Sequence, residues 1–65
     1  MKNNLRQIRI QKGITQQELA DLTELSRTKI SEIETEKDIP LKSNTILAIS
    51  KALNIPVSKI FPAFK

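Results

Sequence analysis

Residues 13–34 read G-I-T-Q-Q-E-L-A-D-L-T-E-L-S-R-T-K-I-S-E-I-E, and this stretch contains the starts of two consecutive helices. Thr15 and Glu18 have the spacing of a capping box, in which the Thr15 hydroxyl accepts from the Glu18 amide and the Glu18 carboxylate accepts from the Thr15 amide. Leu19, Ala20 and Thr23 give the helix that follows a short inward face. We therefore expect the capping box to fix the start of this helix, which has room for about two turns.

A second helix follows at once. Ser26 is a good N-cap, and Ile30 and Ile33 form an apolar stripe along a helix from Arg27 to about Thr35. The turn between the two helices then consists of only three residues, which are Thr23, Glu24 and Leu25. The whole helix, turn and helix occupies residues 16–35.

The sequence before this motif predicts one more helix. Leu5 and Ile8 lie at helical spacing, so a helix should run from Lys2 to Lys12. Gly13 follows, and glycine takes the left-handed conformation of a C-cap without steric cost.

The sequence after the motif predicts two further helices. Ser43 or Asn44 can cap a fourth helix, and its core side is formed by Ile46, Ile49, Ala52 and Leu53. Asn54 is a left-handed terminator, and a fifth helix from Pro56 to Phe61 returns Ile60 and Phe61 to the core. The prediction is five short helices and no strand.

Length and composition agree with a small all-α domain. The 65 residues, 38% of them hydrophobic, suffice for a single domain over 1–65. The sequence has no cysteine and no histidine, which excludes a disulfide scaffold and a zinc finger. No Ser, Lys or carboxylate lies in a recognisable catalytic motif, so we expect neither an enzyme nor a cofactor, metal or small-molecule substrate.

The charges are unevenly distributed along the chain. The net charge is +4, yet residues 13–38 carry −4 while the segments before and after them carry +4 each. A basic protein can bind nucleic acid, although a charge this modest is equally common in solvated proteins. No long apolar segment or signal peptide is found, so we expect a cytoplasmic protein that does not enter a membrane.

Two cations open the second helix of the motif. Arg27 and Lys29 lie in its first turn, where the helix dipole favours anions, and each costs about 0.3–1 kcal/mol in isolation. An anionic ligand such as DNA would offset this cost. The competing interpretation is that two exposed cations on a short helix have no function.

At the residue level the chain resembles the Cro/cI-type helix-turn-helix family, also called the XRE family. The resemblance covers residues 5–61 and is carried by G-I-T-Q-Q-E-L-A, L-S-R-T-K-I-S-E-I-E and A-L-N-I-P-V-S-K-I-F. It implies a compact five-helix, lambda-repressor-like DNA-binding domain of a bacterial or phage-type, nucleoid-associated regulator. Such regulators are usually repressors that bind pseudo-palindromic operators in double-stranded DNA as homodimers, with the helix Arg27–Thr35 in the major groove.

The resemblance also implies roles for individual residues. Gln16 matches a phosphate-contacting position, although it is also compatible with a plain capping-box residue. The base-reading positions correspond to Arg27, Thr28, Ser31 and Glu32. Lys29 and Lys37 add cations near the DNA, Lys37 being the only one in its loop. Arg9 and Glu34 match a structural ion pair between the first and third helices.

The sequence departs from the family pattern at two turns. Glu24 and Glu36 stand where the family often has glycine, and neither takes a left-handed conformation cheaply. We expect strain or an altered turn there.

The sequence allows two interpretations of each candidate partner contact. Phe64, beyond Pro62, is a candidate dimer contact or folds back on its own helix. Leu22 and Leu41 stand at positions that are usually polar in the family. They either offer a partner surface or are scattered exposed leucines. The alternative function is a helix-turn-helix protein-interaction module without DNA binding.

Overall fold

A computed structural model describes residues 3–35 and 41–62, and these residues contain five α-helices. The helices are α1 (Leu5–Gln11), α2 (Gln16–Thr23), α3 (Arg27–Glu34), α4 (Ser43–Leu53) and α5 (Val57–Ile60). No strand occurs in these two ranges. The predicted all-α, five-helix architecture is confirmed.

A single hydrophobic core receives side chains from every helix. Its buried members are Leu5, Leu19, Ala20, Ile30, Ile33, Ile46, Ile49, Leu53, Ile60 and Phe61. The predicted apolar stripes of α2, α3 and α4 face this core, and Ile60 and Phe61 return to it as expected. Burying a side chain of this size contributes about 1.5–3 kcal/mol, so the stripes hold α3 firmly against the other helices.

Side-chain caps fix the starts of α2 and α3. The Glu18 amide donates to Thr15 Oγ1 at 3.0 Å and the Thr15 amide donates to Glu18 Oε1 at 3.0 Å, so the predicted capping box is present. Ser26 Oγ accepts from the Lys29 amide at 3.0 Å. These local bonds determine which residue begins each helix of the motif.

The turn between α2 and α3 is left-handed at Glu24. This residue has φ 60° and ψ 25°, and the next amide, that of Leu25, donates to the Ala20 carbonyl at 3.1 Å. The turn therefore keeps the conformation that suits glycine, and Glu24 bears the steric cost of its β-carbon, about 1–2 kcal/mol. Thr23 was predicted to lie in the turn, but it is the last residue of α2, and its buried hydroxyl donates to the Leu19 carbonyl at 2.8 Å.

Helix α1 begins at Leu5, so the predicted start at Lys2 is wrong within the described residues. Asn3 Oδ1 accepts from the Leu5 amide at 3.0 Å, which forms a local turn in place of a helical one. Asn3 Nδ2 also donates to the Ile33 carbonyl at 2.9 Å, and the Asn4 amide donates to the Ile60 carbonyl at 2.8 Å. These contacts with α3 and α5 hold residues 3 and 4 outside the helix. Gly13 has the predicted left-handed conformation, with a φ of 69°, but it follows the C-cap, which is Lys12.

The start of α4 also differs from the prediction. Neither Ser43 nor Asn44 is the N-cap, because both lie in the first helical turn and the N-cap is Lys42. Lys42 has an extended backbone, and its carbonyl accepts from the Ile46 amide at 3.1 Å, which closes the first turn one residue early. The left-handed terminator Asn54 is confirmed by its φ of 56°.

Helix α5 is shorter than predicted. Pro56 is its N-cap rather than its first helical residue, and Phe61 is its C-cap. The Ser50 hydroxyl donates to the Ile55 carbonyl at 2.6 Å and braces the connection from α4. Across the described ranges, none of the five helices has the length and hydropathy required to cross a lipid bilayer.

Candidate functional site

The side of α3 that points away from the core carries all four predicted base-reading residues. A shallow depression of about 380 Å³ is lined there by Arg27, Thr28, Ser31, Glu32 and Thr35. We refer to these five residues as the outer face of α3. Arg27 and Thr28 are exposed, whereas Ser31 and Glu32 are partly buried. The face combines guanidinium donors, hydroxyls that donate or accept, and one carboxylate that only accepts.

Lys29 does not belong to this outer face. It is partly buried, and at 100° per residue it lies between the outer face and the buried stripe of Ile30 and Ile33. Its amide is bonded to Ser26 Oγ. The two first-turn cations of α3 thus differ, because only Arg27 lines the depression.

A second depression lies between α1, the start of α2 and α3. Its volume is about 520 Å³, and its lining residues are Arg6, Arg9, Thr15, Gln16, Gln17, Arg27, Glu34 and Thr35. We call it the arginine cleft. Three arginines and one glutamate leave two positive charges in excess, so the cleft favours an anion. Arg27 and Thr35 line both depressions and form the ridge between them.

The floor of the arginine cleft is an ion pair between α1 and α3. Arg9 Nε donates to Glu34 Oε2 at 2.5 Å and Arg9 Nη2 donates to Glu34 Oε1 at 3.2 Å, a bidentate geometry. Only 12% of the Arg9 side chain and 2% of the Glu34 side chain are exposed. Arg9 Nη1 also donates to the Ile14 carbonyl at 2.7 Å. The structure thus brings the two predicted partners together, out of contact with most of the solvent.

Gln16 joins the same network. Its Nε2 donates to Glu34 Oε1 at 3.0 Å, a contact across 18 residues that nothing in the sequence indicated. One of the two Nε2 hydrogens is used in this bond, and the other is available to a ligand in the cleft. The predicted phosphate-contacting residue therefore has a fixed position at the cleft.

The start of α2 adds backbone donors to the arginine cleft. The amides of a first helical turn have no partner within the helix, and the capping box engages those of Thr15 and Glu18 but not those of Gln16 and Gln17. The Thr15 backbone amide, followed by its hydroxyl, lowers the pKa of the Glu18 carboxyl below the ordinary 4.5. The carboxylate that closes the capping box is thereby kept ionised.

Two residues of the site were missed in the sequence. Arg6 lies one turn before Arg9 on α1, and this spacing of three residues places both on one face of the helix. That spacing was the signal that could have identified Arg6. The sequence indicates Thr35 only as the end of α3, yet this residue lines both depressions. Its hydroxyl donates to the Ser31 carbonyl at 3.0 Å.

Some predicted contacts lie outside the described residues. Lys37, Glu36 and Phe64 belong to the ranges 36–40 and 63–65, so their predicted roles remain predictions. Of the two leucines considered as partner contacts, Leu22 is 59% exposed, whereas Leu41 packs against the core. Leu41 is therefore a core neighbour and not an exposed leucine.

The chain matches the model of a known protein family. The family described as "Helix-turn-helix" (HTH_3) matches residues 5–60, which include all five helices. No curated protein matches the chain. The matched range contains the outer face of α3 and the arginine cleft, so both belong to the part of the chain that the family defines.

Proposed function

Because the chain belongs to the helix-turn-helix family, a family of DNA-binding regulatory domains and not of enzymes, we propose that it is a transcriptional regulator that binds specific sequences of double-stranded DNA. The observation that carries the proposal is the outer face of α3, where donors and acceptors suited to base edges adjoin an anion-favouring cleft. In this arrangement α3 occupies the major groove, as the second helix of such motifs does.

The arginine cleft contributes affinity for DNA, and the outer face of α3 contributes sequence specificity. A backbone phosphate in the arginine cleft meets Arg6, the side chain of Gln16 and the first amides of α2, an arrangement that suits an anion at a helix N-terminus. Phosphate contacts set the register of a protein on DNA, and contacts with base edges supply the sequence information. The base-reading residues of this proposal lie on the outer face and are Arg27, Thr28, Ser31 and Glu32.

Arg27 reads guanine in the proposed complex. It is exposed at the start of α3, where its guanidinium can donate to guanine O6 and N7 together. Lys29 contributes a positive charge beside the groove, and Lys37 a further phosphate contact.

The regulator acts as a repressor and binds a pseudo-palindromic operator as a homodimer. The domain measures 26 × 21 × 19 Å, less than the 34–36 Å or so between half-sites one helical turn apart. One copy therefore covers one half-site, and a second copy is required to read both. The cytoplasm of a bacterial cell, at the nucleoid, is the proposed location.

Selection of bound sites from a random DNA pool tests this proposal. We expect an enriched site with two related halves, and binding that weakens steeply as salt rises, because bound phosphates release counterions. Arg27→Ala should lose about 1–3 kcal/mol at one base pair and relax the preference there. No enrichment from the pool, together with no salt-dependent binding, would contradict DNA recognition.

A protein-interaction module is the second candidate. Leu22 lies exposed in a groove between α2 and α4 that is also lined by Asp21, Glu24 and Lys51. An exposed apolar side chain among charges suits a protein partner. A module of this kind has no reason to show a steep dependence of DNA binding on salt, so the same titration separates the two functions.

A further inference from the structure

The two acids of α3 have different environments. Glu34 accepts hydrogen bonds from Arg9 and Gln16 and has 2% of its side chain exposed. Glu32 lines the outer face, and its carboxylate forms no hydrogen bond or ion pair among the described residues. Glu34 is explained by the structure of the domain, and Glu32 is not.

The cations of α3 do not neutralise Glu32. Arg27 is five positions away, which is not a spacing at which helical side chains meet. Lys29 is three positions away and within reach, yet the two form no ion pair in the structure. Within residues 3–35 and 41–62 no group pairs with this carboxylate, which stands on the surface proposed to enter the DNA groove, where phosphates repel it unless a base donates to it.

The four bases differ in what they offer a carboxylate in the major groove. Guanine presents only acceptors, and thymine presents an acceptor and a methyl group. Adenine presents its N6 amino donor beside the N7 acceptor, which repels a carboxylate. Cytosine presents its N4 amino donor with no acceptor on its own edge.

We propose that Glu32 selects cytosine by accepting a hydrogen bond from its N4 amino group. This inference rests on the proposed function, since it names the base that one residue of the outer face reads. It also explains why an acid stands on a surface that otherwise carries donors and hydroxyls.

Base-pair substitution in the selected site tests the inference. With the unaltered protein, cytosine at one position should bind at least about fivefold more tightly than any other base. Glu32→Gln should transfer the preference to adenine, because an amide pairs with N6 and N7 together. Glu32→Ala should remove the preference at that position and leave the others unchanged.

A matched variant controls for the loss of negative charge. Asp21→Asn removes one exposed acid from α2 and keeps the oxygen that accepts from Gln17 Nε2 at 3.0 Å. This variant should bind all DNA somewhat more tightly and keep the cytosine preference. Equal melting curves for the three variants and the parent would show that folding is unaffected.

Removal of one amino group from the DNA gives a stricter test. Replacing the selected cytosine by 2-pyrimidinone removes only the amino group, and the same replacement at a cytosine outside the bound site corrects for the weaker base pair. The parent should lose at least about fivefold in affinity, while Glu32→Ala should lose nothing further.

The outcomes separate the inference from the function on which it rests. If the parent selects a site but Glu32→Ala keeps its cytosine preference, or binds every sequence more tightly in the same order, Glu32 does not read cytosine and DNA recognition stands. If the parent selects no site, both proposals fall.

Discussion

The first residue of α2 and the last residue of α3 are joined, since Gln16 Nε2 donates to Glu34 Oε1 at 3.0 Å. Arg9 holds the same carboxylate from α1. One buried acid thus receives bonds from two other helices and ties the end of α3 to them. These bonds add to the packing of Ile30 and Ile33 in holding the outer face of α3 in place.

Removal of Arg9 or Glu34 should destabilise the domain strongly. Arg9→Ala and Glu34→Ala should each lower the free energy of unfolding by about 3 kcal/mol, because each leaves a buried charge without its partner. The double variant should lose less than the two losses added together. Urea unfolding of the three variants measures this, and small additive losses near the 0.2–1 kcal/mol typical of exposed pairs would contradict it.

Replacement of Glu24 by glycine should stabilise the domain. Glu24→Gly removes the β-carbon that opposes a φ of 60°, so the free energy of unfolding should rise by about 1 kcal/mol. Glu24→Ala keeps the β-carbon and serves as the control, with no gain expected. Thermal unfolding compares the three proteins, and an equal gain in both variants would assign the effect to the charge of Glu24 instead.

Arg6 should contribute to DNA affinity without contributing to base preference. If the arginine cleft holds a phosphate, Arg6→Ala should weaken binding to all sequences alike and reduce the salt slope by about 1. Lys51→Ala removes an exposed cation of α4 that does not line the cleft, and it is the matched control. Fluorescence anisotropy over a range of salt concentrations measures the salt slope of each protein. Equal slopes for the parent and Arg6→Ala would show that Arg6 is not part of the DNA interface.

The start of α2 should weaken in acid. The pKa of Glu18 is lowered in the folded protein by the Thr15 backbone amide. The ionised carboxylate therefore stabilises the fold at pH values above the ordinary pKa of 4.5. This stabilisation should be lost as the pH falls through the lower folded-state pKa. Glu18→Gln should remove that part of the pH dependence. Circular dichroism melts at several pH values below 6 test it, and parallel curves for parent and variant would contradict it.

Phe64 should carry the dimer contact. It follows Pro62, outside the described residues, and in a two-fold dimer the same patch on each copy meets its equivalent across the axis. Sedimentation of Phe64→Ala, shown first to keep its helical content, should detect a shift toward monomer. A parent that stays monomeric at high micromolar concentration and binds only single half-sites would exclude the dimer.

Most of the fold was predictable because its signals are local. The capping box of Thr15 and Glu18, the cap at Ser26 and the left-handed residues Gly13 and Asn54 depend on neighbours within a few positions. The apolar stripes of the helices follow from spacing alone.

The errors at helix starts have a different origin. Helix α1 starts late because Asn3 and Asn4 bond to carbonyls of α3 and α5, partners that lie 30 and 56 positions away. The bond from Gln16 to Glu34 and the arginine cleft are equally invisible in the sequence, since they exist only once three helices have packed.

The bond between the Asn4 amide and the Ile60 carbonyl has a consequence for synthesis of the protein. Residue 4 leaves the ribosome 56 residues before its partner does. Until residue 60 has emerged, the Asn4 amide lacks this bond, and the start of α1 can be anchored only through Asn3 and the Ile33 carbonyl. Closing the longer loop costs conformational entropy, so the domain can be completed only after α5 has left the ribosome.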